Sequence, residues 1–320
     1  MGDEVLTLAT TGGRLWRAVR QPIAACLAGL HGGPHECRLG GGTTLAARWR
    51  HRDSFDIDLT VSRGASLSSL GADFERMMER LGGKVEYLVG RWKIDFGTGQ
   101  VDLAQLEPRP ARGQRTAVVD GEPFTVLSTA QILHGKLERA TRSPVRDVFD
   151  VIKARRLDPQ ALAIAINCRN RLEAETICVA WEKSNATFEK VADEQLGGVP
   201  KAMRENPATL GRKGAAALQD ALYSRVTVRT EEQLTVVETE TKGGLTRRIT
   251  MAPDEIDREF AVNGLDEHFH HNVMGGERLR EAARQAVTAA RRPGMRWETG
   301  QTVPALQAAD RPHRGPDPPR

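Results

Sequence analysis

Long apolar runs are missing from this sequence of 320 residues, because no stretch of about eighteen consecutive apolar residues occurs. A membrane-spanning helix is therefore not expected. Residues 1–5 (Met-Gly-Asp-Glu-Val) are acidic and lack the cationic and apolar regions of a secretory signal peptide. We therefore expect a cytoplasmic protein with no membrane partner.

Cysteine and aromatic residues are also scarce. The four cysteines include no Cys-x-x-Cys pair, and their spacing is typical of neither a zinc site nor a disulfide framework. Aromatic residues make up 5% of the chain and hydrophobic residues 39%, which predicts a mainly aliphatic core. The net charge of +4 mildly favours an anionic partner.

The segment of residues 39–59 is the most informative part of the sequence. It begins with a triple-glycine turn, which opens a helix predicted over 43–50. A strand predicted over 55–61 follows within about twenty residues of the turn. The turn consists of Gly40, Gly41 and Gly42.

Two carboxylates share one face of that strand. Because side chains alternate across a strand, Asp56 and Asp58 point one way, while Ile57 and Leu59 point into a core. A triple-glycine turn alone is usually a plain turn, and Asp-x-Asp alone is usually a solvated strand edge. Together, carboxylates and freed backbone amides can hold Mg²⁺ and a triphosphate, as nucleotidyl transfer requires.

A third carboxylate often completes such a cation site and accepts a proton from the attacking hydroxyl. Two candidates lie on a hairpin predicted from strands 92–96 and 101–106, namely Asp95 and Asp102. Asp102 is favoured, since it lies between two apolar residues on a strand that could neighbour the Asp-x-Asp strand. For either residue, the alternative is a strand aspartate that faces solvent.

Cations and acids recur downstream on two predicted helices, 129–140 and 144–156. Lys136 is placed to neutralise triphosphate charge, and Asp147 to orient that lysine or to hold a nucleotide group. A salt-bridged, solvated face is the alternative for this pattern. Nearer the first motif, Arg52 follows three other basic residues and is placed to meet the triphosphate or an RNA end.

These motifs in this order resemble the AbiEii/AbiGii toxin family, bacterial nucleotidyltransferases of the polymerase-β-like superfamily. The motifs are Leu-Gly-Gly-Gly-Thr-x-Leu, His-Arg-x-Ser-x-Asp-Ile-Asp-Leu, Lys-Leu-x-Arg-Ala and Arg-Asp-x-x-Asp, and the resemblance covers roughly residues 13–157. It implies a nucleotide and metal site at Gly41, Thr43, Asp56 and Asp58. Lys136 takes the place of the family's lysine and Asp147 that of its Arg-Asp acid. Many relatives in the wider superfamily have Gly-Ser where this chain has Gly-Gly-Thr, so Thr43 or Thr44 is the candidate hydroxyl.

The resemblance also implies an α+β fold with a polymerase-β-like core, in which helices flank a mixed sheet. The nucleotidyltransferase core is expected over 1–157, a mainly helical C-terminal domain with a small β meander over 158–292, and a disordered tail over 293–320. Within the C-terminal domain, helices are predicted over 159–194, 208–222, 253–262 and 276–292, and the meander over 223–251. Residues after 160 match no family by their motifs.

The functional hypothesis is a Mg²⁺-dependent (or Mn²⁺-dependent) toxin that transfers a nucleotide from an NTP substrate to an acceptor hydroxyl. The resemblance implies an RNA acceptor, with the 3′ end of tRNA as the candidate, and a cognate antitoxin as partner. Two other hypotheses remain open. One keeps the chemistry but changes the acceptor to a protein side chain or an aminoglycoside, and the other is a degenerate core that only binds a partner.

Overall fold

The computed structural model describes residues 4–30, 36–62, 66–106, 115–140, 145–169, 171–231, 234–252, 254–262 and 301–304. Eight strands of the described residues form one mixed sheet. In chain order they are β1 (Glu4–Leu6), β2 (Cys37–Gly40), β3 (Ile57–Val61), β4 (Lys84–Leu88), β5 (Arg91–Asp95), β6 (Gln100–Gln105), β7 (Arg115–Val119) and β8 (Glu122–Val126).

The order of strands across this sheet is β1-β7-β8-β2-β3-β6-β5-β4. The central strand β3 is antiparallel to β2 and parallel to β6. Parallel pairing also joins β1 to β7 and β2 to β8, whereas the other neighbours are antiparallel. The mixed sheet with flanking helices confirms the predicted fold class.

Ten α-helices lie in the described part of the chain. They are α1 (Thr10–Ala28), α2 (Gly41–Trp49), α3 (Gly71–Arg80), α4 (Thr129–Glu138), α5 (Val145–Leu157), α6 (Pro159–Asn167), α7 (Arg171–Lys183), α8 (Asn185–Gln195), α9 (Leu210–Ala221) and α10 (Ile256–Val262). None of the helices in these described stretches is both long and apolar enough to cross a membrane.

The sheet packs its apolar face against α1 and α3. Ile57 and Leu59, at 0% and 1% exposure, lie in this core together with Trp16 of α1 and Phe74 of α3. The alternation predicted for β3 is therefore present, and it fixes Asp58 on the opposite face. Burial of the apolar positions anchors the strand, although aspartate by itself disfavours strand structure.

A second core joins α2, α4 and α5 to the helices that follow residue 157. Leu45 of α2 and Phe149 of α5 share one cluster of buried residues with Trp181 of α7 and Leu218 of α9. Asp158 caps α6 directly after α5 ends, since its side chain accepts a hydrogen bond from the Ala161 amide at 3.1 Å. The domain boundary at 157 stays a prediction, and helices from both sides of it pack in a single core.

A smaller antiparallel sheet has the order β11-β10-β9-β12. Three of its strands, β9 (Tyr223–Glu231), β10 (Leu234–Thr241) and β11 (Thr246–Met251), form the predicted meander. Its fourth strand, β12 (Gln301–Pro304), pairs with β9 and lies within the segment expected to be a disordered tail, so that expectation does not hold for these four residues. Backbone pairing of Thr302 and Val303 with β9 accounts for the difference. The rest of the tail and the helix predicted over 276–292 lie outside the described residues.

Other differences from the sequence predictions have local causes. The short edge strands β1 and β4 were not predicted, and all but one residue of β4 is exposed, so its burial pattern carries little signal. The amphipathic pattern of residues 66–81 predicts one helix, but the structure divides this segment into a 3-10 turn, Leu67–Leu70, and α3. Gly71 joins the two with a φ of 59°, a left-handed value that a continuous helix does not allow.

Candidate active site

Two carboxylates meet on the polar face at the centre of the large sheet. In the parallel pair β3 and β6, Asp58 lies directly opposite Asp102. Asp56 lies just before β3, and its Oδ1 atom accepts a hydrogen bond from the Gln100 amide at 3.2 Å. The structure therefore brings together Asp56, Asp58 and Asp102, as expected from their positions in the sequence.

The glycine turn lies directly against these acids. Gly40 ends β2 opposite Asp58, and Gly41 begins α2 with a φ of 67°. A Cβ atom on Gly41 would overlap the Asp58 carboxylate, and one on Gly42 would overlap the Arg52 guanidinium. No side chain caps the start of α2, so backbone amides of its first turn are available beside Asp58.

The hydroxyls of the two threonines in α2 are used inside the protein. Thr43 Oγ1 donates to the carbonyl of Asp56 and lies 2.9 Å from Ser54 Oγ. Thr44 Oγ1 donates to the Gly40 carbonyl at 2.7 Å. Both threonines are buried, with exposures of 1% and 0%. Thr43 thus ties the glycine turn to the strand that carries Asp56, and its hydroxyl is not directed at a ligand in this structure.

Asp102 has a cationic partner that the sequence did not indicate. Arg91, the first residue of β5, donates from Nε to Asp102 Oδ1 at 2.5 Å and from Nη2 to Asp102 Oδ2. The other candidate, Asp95, lies one strand further from β3, and its carboxylate accepts the Gly97 amide at 2.7 Å in the hairpin turn. Of the two candidates, Asp102 is therefore the one beside Asp58.

Lys136 lies behind the acids and is 3% exposed. Its Nζ atom is 2.5 Å from Asp147 Oδ1 and 2.9 Å from Asp150 Oδ2. Asp147 also accepts Nε of Arg139 at 2.7 Å. The structure thus brings Lys136 and Asp147 into contact, as predicted, and it adds Asp150 and Arg139 to the same cluster.

Arg52 and His51 converge on Asp150 from the loop that precedes β3. Arg52 donates to the two Asp150 oxygens from Nε and Nη2, at 2.9 Å each, and His51 Nε2 lies 2.7 Å from Asp150 Oδ1. All three side chains are buried. Arg52 was expected to meet a triphosphate. In the structure its guanidinium is instead fixed beneath the glycine turn by Asp150.

The electrostatics separate the acids into two groups. Burial raises the pKa of Asp58, and the neighbouring charges of Asp102 and Asp56 add to this, although Lys136 and Arg139 oppose it. Burial also disfavours ionisation of Asp147 and Asp150, but their cationic neighbours outweigh it and hold the pKa of Asp147 low and that of Asp150 well below its ordinary value. Asp58 is thus the site carboxylate whose negative charge is least compensated.

The polar face of the sheet offers carboxylate oxygens, which are the kind of ligand that Mg²⁺ binds. Asp58 accepts no hydrogen bond and forms no ion pair with any described residue, unlike Asp102, Asp147 and Asp150. Carboxylate oxygens without a protein counter-ion are the ligands that Mg²⁺ prefers. Asp56 is a second candidate ligand, since its ion pair with Arg146 Nη1 is long, at 3.9 Å, and both side chains are about half exposed. Within the described residues, no group of three or more acids, histidines or cysteines lies close enough together to hold a metal ion without rearrangement.

Half-exposed arginines surround the carboxylates. The side chains of Arg91, Arg139 and Arg146 are 47%, 54% and 49% exposed. By contrast, the side chains of Lys136 and Arg52 are 4% and 5% exposed. The mouth of the site therefore carries solvent-exposed positive charge, whereas Lys136 and Arg52 beneath it are buried and held by Asp147 and Asp150.

Residues 26–224, more than half of the sequence, match the family described as "Nucleotidyl transferase AbiEii toxin, Type IV TA system". The chain belongs to this family. It is a nucleotidyltransferase, and a type IV toxin–antitoxin family implies an antitoxin partner. This result confirms the family and the enzyme class expected from the sequence motifs.

Three solved structures are similar to the chain at low identity. A putative nucleotidyltransferase from H. pylori is 14% identical, with a TM-score of 0.40, over 67% of this chain and 96% of that one. JHP933 from Helicobacter pylori is 14% identical, with a TM-score of 0.39, over 67% and 93%. ANT(2")-Ia, solved in complex with adenylyl-2"-tobramycin, is 20% identical, with a TM-score of 0.29, over 42% and 79%. No curated protein matches the sequence.

Proposed function

We propose that this nucleotidyltransferase uses Mg²⁺ to transfer a nucleoside monophosphate from an NTP to an RNA hydroxyl, with the 3′ end of tRNA as the acceptor. The observation that carries the proposal is the register of β3 and β6. It sets Asp58 opposite Asp102, with the uncapped start of α2 against Asp58. The two carboxylates and the backbone amides of α2 therefore lie next to each other, where one could hold a cation and the other phosphate oxygens.

The nucleotide site is built from backbone and carboxylate groups. The amides at the start of α2 would bind phosphate oxygens, since the N-terminus of a helix favours negative charge. Asp56 and Asp58 would hold the cation, because Asp58 forms no ion pair with any described residue and Asp56 forms only a long, half-exposed one with Arg146. A bound Mg²⁺ would supply charge neutralisation for the triphosphate and the attacking oxygen.

The reaction forms a bond between the acceptor oxygen and the α-phosphorus and breaks the bond between that phosphorus and the α–β bridging oxygen. Pyrophosphate leaves with the bonding electron pair, and the proton of the acceptor hydroxyl passes to Asp102. Lys136 and Arg139 would offset the charge of the leaving group, with Asp147 and Asp150 as positioning residues behind them.

The exposed charge of the site supports a polyanionic acceptor. Arg139 and Arg146 are half-exposed beside the carboxylates, and guanidinium groups bind phosphates through two hydrogen bonds. The net charge of +4 adds to this on the scale of the whole molecule. A small neutral acceptor would have no need of either feature.

The test uses each of the four α-³²P-labelled NTPs with Mg²⁺ and three separate acceptor pools: total tRNA, cell protein and aminoglycosides. The expected result is a label that enters tRNA and needs one particular NTP. Periodate-oxidised tRNA, which lacks the terminal 2′,3′-diol, is the matched control and should accept no label. A variant with Asp56→Asn and Asp58→Asn shows which labelled product is formed by this site, because that product should disappear in the variant.

Two outcomes would change the proposal. Label in protein or in an aminoglycoside, but never in RNA, would overturn the acceptor and keep the chemistry. Label in none of the pools, with toxicity in cells unchanged in the variant lacking both carboxylates, would replace transfer with binding alone.

A further inference from the structure

We propose that Arg91 is a displaceable counter-ion of Asp102, which it covers in the nucleotide-free protein. It would leave Asp102 for a phosphate group when a divalent cation and a nucleoside triphosphate bind. The inference rests on the proposed function, and it adds a residue that couples the two ligands. Arg91 lies outside every motif on which the site was predicted.

The contact between the two residues is bidentate. Arg91 donates Nε and Nη2 to the two oxygens of Asp102, with the Nε distance at 2.5 Å. Both oxygens are therefore occupied, and Asp102 is 7% exposed. Each oxygen keeps a second lone pair, but the guanidinium charge beside the carboxylate repels a divalent cation, so cation binding at Asp102 is favoured when Arg91 moves away.

The pairing is selective among the basic residues of β5. Lys93 lies directly opposite Asp102 in the antiparallel register, whereas Arg91 is opposite Ala104 and reaches across diagonally. Lys93 nonetheless makes no hydrogen bond or ion pair with any residue in the described part of the chain. The planar guanidinium can bind both carboxylate oxygens at once, which an ammonium group cannot do.

Arg91 is also free to leave. Its side chain is 47% exposed, whereas the basic side chains beneath the site are fixed: Lys136 is 4% exposed and Arg52 5%. Asp102 is buried but the Arg91 side chain is open to solvent, so the guanidinium can leave without stranding a buried cation, and its immobilisation in the pair costs side-chain entropy. The same guanidinium binds phosphate with the same two-pronged geometry. Arg91 can therefore leave Asp102 for a phosphate group without losing its two hydrogen bonds.

The experiment measures Mn²⁺ binding and NTP binding separately on the intact protein. Loss of the free Mn²⁺ signal in electron paramagnetic resonance reports the metal without nucleotide, and calorimetry with a non-hydrolysable NTP at saturating Mn²⁺ reports the nucleotide. Arg91→Gln should bind Mn²⁺ alone about fivefold more tightly, the equivalent of a weak ion pair. The same variant should bind the NTP analogue about fivefold more weakly.

Three further variants make the comparison specific. Lys93→Gln removes a cation from the same face without touching Asp102, and should give a clearly smaller gain in Mn²⁺ affinity. Arg91→Lys keeps the charge but loses the bidentate contact, and should lie between wild type and Arg91→Gln. Adding Asp102→Asn to Arg91→Gln should abolish the gain. A merely structural role for Arg91 would weaken both kinds of binding together.

The outcomes separate this inference from the proposed function. If wild-type Mn²⁺ binding depends on Asp58 but Arg91→Gln leaves it unchanged or weaker, the counter-ion role is wrong and the function stands. If nucleotide binding by Arg91→Gln matches wild type, the exchange to phosphate is wrong. If Mn²⁺ binding is absent or independent of Asp58, the metal site itself is contradicted.

Discussion

Asp58 and Asp102 lie directly opposite each other in the neighbouring parallel strands β3 and β6. They are separated by more than forty residues in the sequence, and the pairing of the two strands brings them together. Asp58 is without a counter-ion among the described residues, whereas Asp102 is held by Arg91. The two aspartates therefore differ in their readiness to bind a cation, because Arg91 already neutralises Asp102.

The third carboxylate is tested by a matched pair of substitutions on the hairpin. Asp102→Asn should lower kcat by at least about 100-fold, because it removes a group proposed to accept a proton. Asp95→Asn should leave kcat close to wild type, since Asp95 only caps the turn at Gly97. Steady-state kinetics at fixed Mg²⁺ measure both. Comparable losses in the two variants would contradict the assignment of Asp102.

Gly41 is tested against Gly71, which also has a positive φ. Alanine at either position should reduce the free energy of unfolding by about 1–3 kcal/mol, because φ is 67° and 59° respectively. Only at Gly41 would the new Cβ overlap the Asp58 carboxylate, whereas nothing lies within 4 Å at Gly71. Displacement of Asp58 should cost about 100-fold in kcat for Gly41→Ala.

Urea unfolding and activity are to be measured on both glycine variants. Activity that falls to the same extent in the two would show that backbone strain alone explains the loss, and that the contact between Gly41 and Asp58 has no part in it.

The charge of Asp58 should make the native state less stable at neutral pH. Its folded pKa is raised by burial and by Asp102, so the native state retains a proton that the unfolded state has lost above about pH 3.9. Stability therefore falls as pH rises through the folded pKa. Asp58→Asn should unfold at higher urea concentration than wild type at pH 7.5, with an advantage that shrinks on acidification. An advantage that grows towards low pH would have the wrong sign.

Asp150 should be the most important acid for stability. Asp150→Asn would leave the buried Arg52 without its carboxylate partner and Lys136 with Asp147 alone, at a cost of about 3–5 kcal/mol in the free energy of unfolding. The matched control is Asp73→Asn, whose side chain and that of its partner Arg76 are 90% and 67% exposed, with an expected cost of at most about 1 kcal/mol. Thermal and urea denaturation measure both. Equal costs would contradict the buried network.

Low pH should reduce the stability that Asp150 contributes, whereas it should reduce the destabilisation caused by Asp58. The pKa of Asp150 is held well below its ordinary value by Lys136 and Arg52, against the effect of burial. Its stabilising contribution is present above the unfolded pKa of about 3.9 and is lost as pH falls through the folded pKa. Urea midpoints measured below pH 4 should therefore decrease more steeply for wild type than for Asp150→Asn.

The sequence was sufficient to predict the local parts of this molecule. The sequence Ser128-Thr-Ala-Gln131 predicts a capping box, and this box is present at the start of α4. The alternation around Ile57 likewise predicts which face of β3 is buried and which is polar. Both features depend on residues within a few positions of each other, where periodicity and capping preferences are informative. The hairpin of β5 and β6 was predicted for the same reason.

Long-range partners could not be predicted in this way. His51 and Arg52 contact Asp150 across about a hundred residues, and Asp150 was quoted only as part of a motif. Nothing local distinguishes Arg91 from Lys93, although only Arg91 contacts Asp102. The internal use of the Thr43 hydroxyl likewise depends on how closely the loop before β3 packs on α2.

The central claim is that the carboxylate face around Asp58 performs nucleotidyl transfer. The most direct measurement is the rate of pyrophosphate release from an NTP in the presence of total tRNA, in wild type, Asp58→Asn and Asp53→Asn. Asp53 is an exposed acid on the neighbouring loop whose side chain makes no hydrogen bond or ion pair with any described residue, so it provides the same chemical change outside the site. We expect Asp58→Asn to be slower by at least about 1,000-fold and Asp53→Asn to match wild type. A rate for Asp58→Asn equal to that of wild type would contradict the account.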